Sequence, residues 1–364
     1  MEFGLSPEQT LLKDSVDQYL REQAPLEQVR KVAAGDTGRA KVLGAGLVEL
    51  GVTGLIIPEE YDGVGLTILD ACLVAECLGY RVTPVPYAAN AVMVPAALML
   101  AGSEAQKAEW LPKIAAGKAI IGAALSELTS ARAMNGVSAG VSLLAGKLSG
   151  RSLHVIDFEA DAYLVADTQG GLYLVPADAQ GLTRRALETV DRTRPLGELV
   201  FNGVLAENLP GSTTAVCQKI IDIGRTILAA DTLGAAQSMI DQAVAYAGQR
   251  EQFGRLIGSF QAVKHMCAEM ASQLEPARAF VWYAGHALDD APDEAHLVAC
   301  HLKAHISEVG RFVAKTATEV HGGMGFTDLL GLHYWFKRIG LNRQLLGSPE
   351  RLRLEAAPAQ SLAS

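Results

Sequence analysis

The strongest constraint on the fold is a single break between two long helical patterns, in the segment from Arg250 to Gln261. After the break, apolar residues recur at alternating steps of four and three, which predicts a helix with one face packed on a neighbour. These residues are Met270, Leu274, Ala277, Val281, Ala284 and Leu288. Because Gly254 and Gly258 favour a helix end, we expect a helical hairpin with Arg250 and Phe253 exposed at its turn.

Arg250 and Phe253 allow two interpretations at such a turn. A guanidinium group matches phosphate oxygens and an aromatic ring covers a planar group, so the pair is suited to a diphosphate attached to a ring system. The same two residues also fit a solvated turn that binds nothing. Spacing alone favours the solvated turn.

Length and charge limit the possible classes of function. A chain of 364 residues with 49% hydrophobic content is expected to form two or three domains with ample core. Its net charge of -9 argues against nucleic acid as a partner, because nucleic-acid binding needs basic patches. We see no membrane-spanning run, no signal peptide and no paired cysteine motif among the five cysteines, so we expect a cytoplasmic protein with reduced thiols.

Three regions of different pattern follow one another along the chain. Residues 1–118 have the pattern of helices joined by short loops, with a capped start at Ser6. Residues 119–211 alternate short apolar runs with turn residues, which predicts an antiparallel β sandwich or barrel. Residues 212–364 predict a four-helix bundle, in which Pro276 is expected to kink the second long helix. The predicted fold class is therefore α+β, mainly α.

Capping residues, prolines and periodicity give the element boundaries. The helices predicted in the first region are Ser6–Glu22, Gly38–Leu50, Thr67–Gly79, Ala88–Leu100 and Glu104–Ala115. The strands predicted in the second region are Ala119–Leu125, Ser152–Ile156, Ala162–Ala166, Leu172–Val175 and Glu198–Leu205. Residues 356–364 are expected to form a loose tail.

Three motifs, in the same order along the chain, resemble those of the acyl-CoA dehydrogenases, which are flavoenzymes that desaturate acyl-CoA thioesters. The motifs are Arg250-x-x-Phe-Gly-x-x-Ile-x-x-Phe-Gln261, Val320-His-Gly-Gly-Met-Gly-Phe-Thr327 and Pro58-Glu-Glu-Tyr-Asp-Gly-Val-Gly-Leu66. The resemblance implies a helical, β, helical architecture with FAD as cofactor. It also implies an acyl-CoA substrate and an electron-transfer flavoprotein as electron acceptor.

The chemistry of that family needs a carboxylate that removes the α-proton of the thioester. The resemblance assigns this carboxylate to one of two positions, which are Leu346 and Gly224 in this chain, and neither can act as a base. Asp222 lies two residues from Gly224 on a helix and is expected to point to another face. Glu350 would serve only if the local loop has shifted. The sequence therefore predicts no catalytic base, with Glu350 as the remaining candidate.

The segments that resemble the family's flavin cradle are altered. Where the family carries Thr-Glu-Pro followed by Gly-Ser-Asp, this chain has Ser126-Glu127-Leu128-Thr129-Ser130-Ala131-Arg132. Where the family lays a Trp-x-Thr/Ser-Asn strand along the flavin ring, this chain has His154-Val155-Ile156-Asp157. The aromatic plate and the hydroxyl group of that strand are both missing.

The motif residues that remain share one role in the family, which is to reach the diphosphate and adenosine of FAD bound by a neighbouring subunit. They are Arg250, Phe253, Gln261, Glu319, Val320, Gly322 and Gly323. In this respect the chain resembles the shorter, base-lacking subunit of heteromeric (α2β2) acyl-CoA dehydrogenases of sterol-degrading bacteria. We therefore expect it to complete the FAD site of a paralogous partner, in an enzyme for which this subgroup suggests a steroid-derived thioester.

Two other functions stay open. A self-sufficient homomeric dehydrogenase with a base relocated to Glu350 or Asp222 would bind flavin by itself. A non-enzymatic protein that binds CoA esters or acts as a scaffold would bind no flavin even beside a partner. His301 and His305, with Glu308 beyond them, would form one helix face suited to a metal ion, but no further ligand is apparent and no metal is predicted.

Overall fold

Helices before and after a central β layer make up the fold, and the computed structural model describes residues 4–128, 133–134 and 137–360. The first helices are α1 (Pro7–Gln23), α2 (Leu26–Ala33), α3 (Thr37–Glu49), α4 (Ile68–Tyr80), α5 (Val94–Ala101) and α6 (Glu104–Ala115). The predicted start at Ser6 is confirmed, since its side chain and that of Gln9 form a reciprocal capping box. The sequence patterns miss the short helix α2, and the predicted helix 88–100 divides into a π-helical turn (Ala88–Met93) and α5.

The β layer is one large sheet with one short ribbon, in which β2 pairs with β3. Its strands are β1 (Ile121–Ala124), β2 (Ala133–Met134), β3 (Val137–Ser138), β4 (Gly140–Leu144), β5 (Lys147–Ile156), β6 (Ala162–Ala166), β7 (Leu172–Pro176), β8 (Leu182–Leu187), β9 (Leu196–Val204) and β10 (Glu207–Asn208). The sheet order is β10-β7-β6-β1-β5-β9-β8, and β4 pairs with β5. The prediction of a purely antiparallel layer is wrong at one place, because β1 and β6 run parallel with Ile121 opposite Ala162. The intervening hairpin of β4 and β5 makes the long connection that a parallel pair requires.

Both faces of the sheet are buried at its centre. In β6, Leu164 packs into the core that the sheet shares with the helices, whereas Tyr163 and Val165 pack into a second apolar cluster on the opposite face. This alternation follows from the two-residue period of a strand. It explains why β6 is apolar throughout its length.

The last part of the chain forms a bundle. It consists of α7 (Thr214–Ala247), a hairpin of β11 (Glu251–Gln252) and β12 (Arg255–Leu256), α8 (Gln261–Asp290), α9 (Pro292–His321), α10 (His333–Gln344) and α11 (Pro349–Ala356). The six apolar residues predicted to face a neighbour on α8 are all buried in the shared core, which confirms that prediction. The helix α8 continues through Pro276. The loose tail predicted from residue 356 is wrong at its start, since Ala356 is buried in α11 and a 3-10 turn follows at Pro358–Gln360, while residues 361–364 lie outside the described residues.

Two glycines allow α4 and α7 to pack very closely. A Cβ atom on Gly79 would lie 2.0 Å from the Asp231 carbonyl oxygen, and one on Gly234 would lie 1.9 Å from the Glu76 carbonyl oxygen. The small residues of α7 therefore serve this helix crossing. Within the described part of the chain, no helix is both long and apolar enough to span a membrane.

Candidate functional site

The break between α7 and α8 is a β hairpin rather than a simple turn between helices. Its two central residues, Phe253 and Gly254, have φ values of 54° and 73°, and Gln252 pairs with Arg255. Positive φ at both positions is the geometry of a two-residue hairpin, but it is unusual for a bulky side chain. Phe253 is nevertheless 93% exposed, so packing does not explain why an aromatic residue occupies this position.

The hairpin is held against the end of α7. The Ile257 amide donates to the Arg250 carbonyl oxygen at 2.8 Å, and a Cβ atom on Gly258 would lie 2.8 Å from the Ala247 carbonyl oxygen. The Arg255 guanidinium lies 3.8 Å from the centre of the Phe260 ring. The Arg250 side chain itself is exposed. The hairpin backbone is thus held in place, and Arg250 and Phe253 extend from it into solvent.

The glycine turn after α9 lies at the same end of the bundle. The rings of Tyr246, near the end of α7, and His321, at the end of α9, stack with centroids 4.7 Å apart. Glu319, Gly322 and Gly323 are exposed. We call the exposed residues Arg250, Phe253, Gln261, Glu319, Gly322 and Gly323 the bundle-end surface.

The predicted residue Val320 does not belong to this surface. Its side chain is only 6% exposed and packs in the shared core, as expected for an apolar residue on the inner face of α9. Any contact of Val320 with a cofactor would have to come from its backbone, and its place in the predicted cofactor site stays a prediction. Gln261, by contrast, is the first residue of α8, where no side chain caps the helix. The unpaired amides of such a helix start attract anions.

Leu346 and Gly224 face each other although they are far apart in the sequence. A Cβ atom on Gly224 would lie 2.6 Å from Leu346 Cδ1 and 2.7 Å from Met93 Sδ. Leu346 is 1% exposed and has a φ of 55° in the turn between α10 and α11. The two positions that the resemblance assigns to a base thus converge on one buried, apolar spot.

Asp222 takes part in a buried ionic cluster on the neighbouring part of α7. Its carboxylate accepts from Arg225 Nη1 at 3.0 Å and lies 2.9 Å from His296 Nδ1. Arg225 also binds Glu355 through both terminal nitrogens, at 2.8 and 2.9 Å, and donates from Nε to the Leu346 carbonyl oxygen at 2.9 Å. The hydrogen bond with Asp222 contributes most to raising the pKa of His296, to about 10. The Asp222 carboxylate is thus occupied by two cationic partners.

Glu350 lies on the surface in the first turn of α11. Its carboxylate accepts from Arg343 Nη2 at 2.9 Å. The backbone amides at the helix start, the Ser348 side chain and Arg343 lower its pKa to about 2. A carboxylate with so low a pKa is a weak proton acceptor, so this environment does not suit a general base.

The cradle positions of the sheet bind other parts of the chain. The buried Asp157 carboxylate accepts from the amides of Ala89 and Asn90 at 2.8 and 3.2 Å, and burial raises its pKa. The Glu127 carboxylate accepts from Ser152 Oγ at 2.6 Å and from the Leu153 amide. Thr129, Ser130, Ala131 and Arg132, which belong to the same predicted cradle, lie outside the described residues.

The predicted histidine face does not form a cluster. His301 contacts Gln360 Nε2 at 2.8 Å, whereas Glu308 accepts from Arg343 Nη2 at 2.9 Å. Sequence reasoning instead missed the cluster of Asp222, Arg225 and His296. The local signals for it are two spacings on single helices: Asp222 and Arg225 are three residues apart on α7, and His296 and Cys300 are four residues apart on α9.

Comparisons with known proteins agree with this architecture. Residues 6–118 match the acyl-CoA dehydrogenase N-terminal domain, and residues 214–359 match the acyl-CoA dehydrogenase C-terminal domain. The chain is 31% identical over 358 residues to acyl-CoA dehydrogenase IpdE2 of Mycolicibacterium smegmatis, covering 97% of this chain and 99% of that protein.

Two solved structures are similar over nearly the whole length. A variant of the Tcur3481-Tcur3483 steroid ACAD has a TM-score of 0.87 at 29% identity, covering 98% of this chain and 99% of that one. The ChsE4-ChsE5 complex of Mycobacterium tuberculosis has a TM-score of 0.90 at 24% identity and full coverage of both chains, which is evidence for the fold alone. The chain therefore belongs to the acyl-CoA dehydrogenase family of FAD-dependent oxidoreductases.

Proposed function

We propose that this chain is the base-lacking subunit of a heteromeric acyl-CoA dehydrogenase and that it completes the FAD site of a paralogous partner. One observation supports this proposal above all. The two base positions, Leu346 and Gly224, lie against each other in a packed, apolar region, while the bundle-end surface is exposed. The first half of this contrast argues against chemistry by the chain alone. The second half argues for a retained role in binding.

The surroundings of Leu346 support the lack of a base. Leu346 Cδ1 and Met93 Sδ fill the space into which a side chain at Gly224 would extend. Abstraction of an α-proton needs a carboxylate within hydrogen-bond reach of the thioester. Asp222 is held by Arg225 and His296, and Glu350 is exposed and paired with Arg343. Neither environment suits the role.

The cradle positions do not fit a flavin ring. Asp157 and Glu127 already satisfy their carboxylates within the chain, and the strand carries no aromatic plate. A flavin ring placed there would have to compete with buried hydrogen bonds, whose loss leaves unsatisfied polar groups at a cost of about 1–3 kcal/mol each. The chain's own ring site is therefore closed in this proposal.

The bundle-end surface fits the other end of the cofactor. Arg250 offers an exposed guanidinium to a diphosphate, and the uncapped start of α8 at Gln261 adds backbone amides on the same side of the hairpin. Phe253 offers an exposed ring to pack against the cofactor, and the amides near Gly322 and Gly323 approach its adenosine side. FAD supplies the hydride acceptor when bound. The residues of this chain bind and orient it.

The kinds of partner and substrate follow from the resemblance and the comparisons. The similar structures include one described as a steroid ACAD and one described as a complex of two differently named chains. We therefore infer a paralogous dehydrogenase subunit as the partner and a steroid-derived CoA thioester as the substrate of the complex. An electron-transfer flavoprotein is the proposed electron acceptor, as the family resemblance implies.

Flavin content tests this proposal. We expect the chain to be colourless when expressed alone and the pair to contain about one FAD per two subunits when it is expressed with a paralogous neighbour. Arg250→Ala should weaken FAD binding at least about 10-fold, because a hydrogen bond to a charged group is worth about 1.5–3 kcal/mol. Absorbance of the flavin and titration with FAD measure both effects.

Arg353→Ala is the matched control, because Arg353 is an exposed arginine on α11, away from the hairpin. A chain that is yellow by itself and turns over an acyl-CoA would overturn the proposal in favour of the homomeric enzyme. Loss of that turnover in Glu350→Gln would then identify the relocated base. Absence of flavin even beside the partner would favour the scaffold function.

A further inference from the structure

Three metal-ligating side chains meet between α7 and α9, in a cluster that the proposed dehydrogenase function does not use. They are Asp222, His296 and Cys300, whose potential ligand atoms all lie within 4.8 Å of one another. Asp222 Oδ2 is 2.9 Å from His296 Nδ1, and Cys300 Sγ is 4.0 Å from the same nitrogen. Ligand atoms around a tetrahedral zinc ion lie about 3–4 Å apart, given bond lengths of about 2.0–2.3 Å. Small movements of side chains are therefore enough to close the site.

The two helices that carry these residues bring the three side chains to the same place. His296 and Cys300 are one helical turn apart on α9 and so lie on the same face, opposite Asp222 on α7. Cys300 is fully buried, whereas the His296 side chain is 36% exposed. The cluster thus has a closed inner end at the thiol and an open outer end at the imidazole, through which an ion can enter.

Neighbouring groups hold the ligands in place. Gln218 Nε2 and Arg225 Nη1 both donate to Asp222 Oδ1, at 3.1 and 3.0 Å, which leaves Oδ2 directed at His296. Arg225 Nη1 also donates to Cys300 Sγ at 3.4 Å, a contact that orients the sulfur. Such outer partners orient metal ligands in known sites.

A metal ion at this place would have to displace protons. Without a metal, the Asp222 and Glu355 carboxylates already face two cationic side chains, Arg225 and His296. A divalent ion would replace the His296 proton and the Cys300 thiol proton, so that His296 binds as a neutral imidazole. Sulfur, nitrogen and oxygen ligands together suit Zn²⁺ rather than Mg²⁺ or Ca²⁺.

We propose that Asp222, His296 and Cys300 form a Zn²⁺ site, with water as the fourth ligand, that links α7 to α9. The site is independent of flavin and of any partner subunit. Through Arg225, which donates to the Leu346 carbonyl oxygen, it also supports the turn between α10 and α11. Zinc binding should therefore raise the melting temperature of the chain.

Cobalt and zinc titrations of the full chain, without a histidine tag and after treatment with a chelator, test the proposal. We expect Co²⁺ to produce the ultraviolet charge-transfer band of a cobalt–thiolate bond and Zn²⁺ to displace it. Cys300→Ser should remove the band. His296→Gln should weaken zinc binding by at least about 100-fold, since even outer partners of metal ligands are worth about 10–100-fold.

Cys267→Ser and His286→Gln are the matched controls, because these residues lie on α8 outside the cluster. Circular dichroism establishes that each variant is folded, and the side chain changed in His296→Gln is 36% exposed. The proposal is overturned if the wild-type chain gives no thiolate band, or if the band persists in Cys300→Ser. It is equally overturned if the control variants lose zinc as readily as His296→Gln.

Discussion

Lys303 is fully buried in the bundle and binds the end of a helix. Its Nζ atom donates to the Asn342 carbonyl oxygen at 2.6 Å and to Ser307 Oγ at 3.4 Å. Lysine often satisfies the last carbonyl groups of a helix, and here it serves α10. Burial lowers the pKa of Lys303 to about 7, with further contributions from Arg225 and Arg343.

This lowered pKa makes stability depend on pH in a definite direction. Between pH values of about 7 and 10.5, the unfolded state holds the Lys303 proton more tightly than the folded state does. The contribution of Lys303 to the free energy of unfolding therefore rises as pH increases through this range and is constant below it. Lys303→Met should remove that rise, as measured by urea unfolding at the two ends of the range.

Lys264→Met is the control for the lysine experiment, since Lys264 is exposed on α8. It should leave the wild-type pH profile of the unfolding free energy unchanged. The same slope in Lys303→Met and in the wild type would show that Lys303 is not the group that titrates.

The hairpin between α7 and α8 shows how far an element can be predicted from its residues. The break itself follows from Gly254 and Gly258, because glycine tolerates the backbone that ends a helix. The β pairing does not follow, because no local preference places a phenylalanine at a positive φ. The hairpin depends on tertiary geometry, such as the hydrogen bond from Ile257 to Arg250 and the close approach of Gly258 to the end of α7.

Phe253→Gly separates the structural role of the hairpin from its proposed binding role. Glycine relieves the left-handed backbone by about 1–2 kcal/mol but loses about 0.5–1 kcal/mol through greater freedom of the unfolded chain. The free energy of unfolding should therefore change by less than about 1.5 kcal/mol. FAD content of the co-expressed complex should nevertheless fall.

Leu354→Ala is the comparison for this experiment, because Leu354 is also strongly exposed, at 70%, but lies on α11. It should leave the FAD content unchanged. Retention of full FAD content in Phe253→Gly would remove this residue from the proposed binding surface. Unfolding measurements on both variants show whether any loss arises from stability.

The strands illustrate a second limit of prediction at the scale of elements. The buried β6 has the apolar run that predicts a strand, and its bounds of 162 and 166 match those predicted. The edge strand β8 is missed because four of its six residues are exposed and it lacks an apolar face. The parallel pairing of β1 with β6 depends on contacts distant in sequence, which no local pattern encodes.

At the scale of the molecule, a buried polar network joins the sheet region to the bundle. Arg338 on α10 donates to Asp191, in the loop between β8 and β9, at 2.9 Å and to Asp231 on α7 at 3.0 Å. It also donates to the Thr83 carbonyl oxygen at 3.2 Å, and Arg194 donates to Asp231 at 3.0 Å. One arginine thus links three parts of the chain that the apolar core alone would hold less specifically.

Arg338→Met should lower the free energy of unfolding by about 3–5 kcal/mol, because it leaves buried carboxylates without their partner. Limited proteolysis should also cut the loop between β8 and β9 earlier than in the wild type. Urea unfolding and mass spectrometry of the fragments measure these effects. Arg353→Met, which changes an exposed arginine, should change neither the free energy of unfolding nor the rate of proteolysis. Equal stability of the two variants would contradict a role for the network.

The candidate site was predictable only in part. The motif order assigns Leu346 and Gly224 to the base positions, and the structure adds that they face each other. The clusters around Arg225 and Arg338 were not predictable, because their members are spread over distant segments whose charged residues look like ordinary surface positions. Buried polar networks become visible only once the fold has brought their members together.

The Leu346 side chain occupies the space beside Gly224, so the effect of a substitution at either position depends on the residue at the other. A glutamate introduced at Gly224 alone would place its Cβ atom 2.6 Å from Leu346 Cδ1 and 2.7 Å from Met93 Sδ, so the side chains of Leu346 and Met93 would have to move. A smaller residue at position 346 would provide that space without such movement, although without a larger residue at Gly224 it would leave a cavity. Recovery of a catalytic carboxylate at Gly224 is therefore coupled to the side chains at positions 346 and 93.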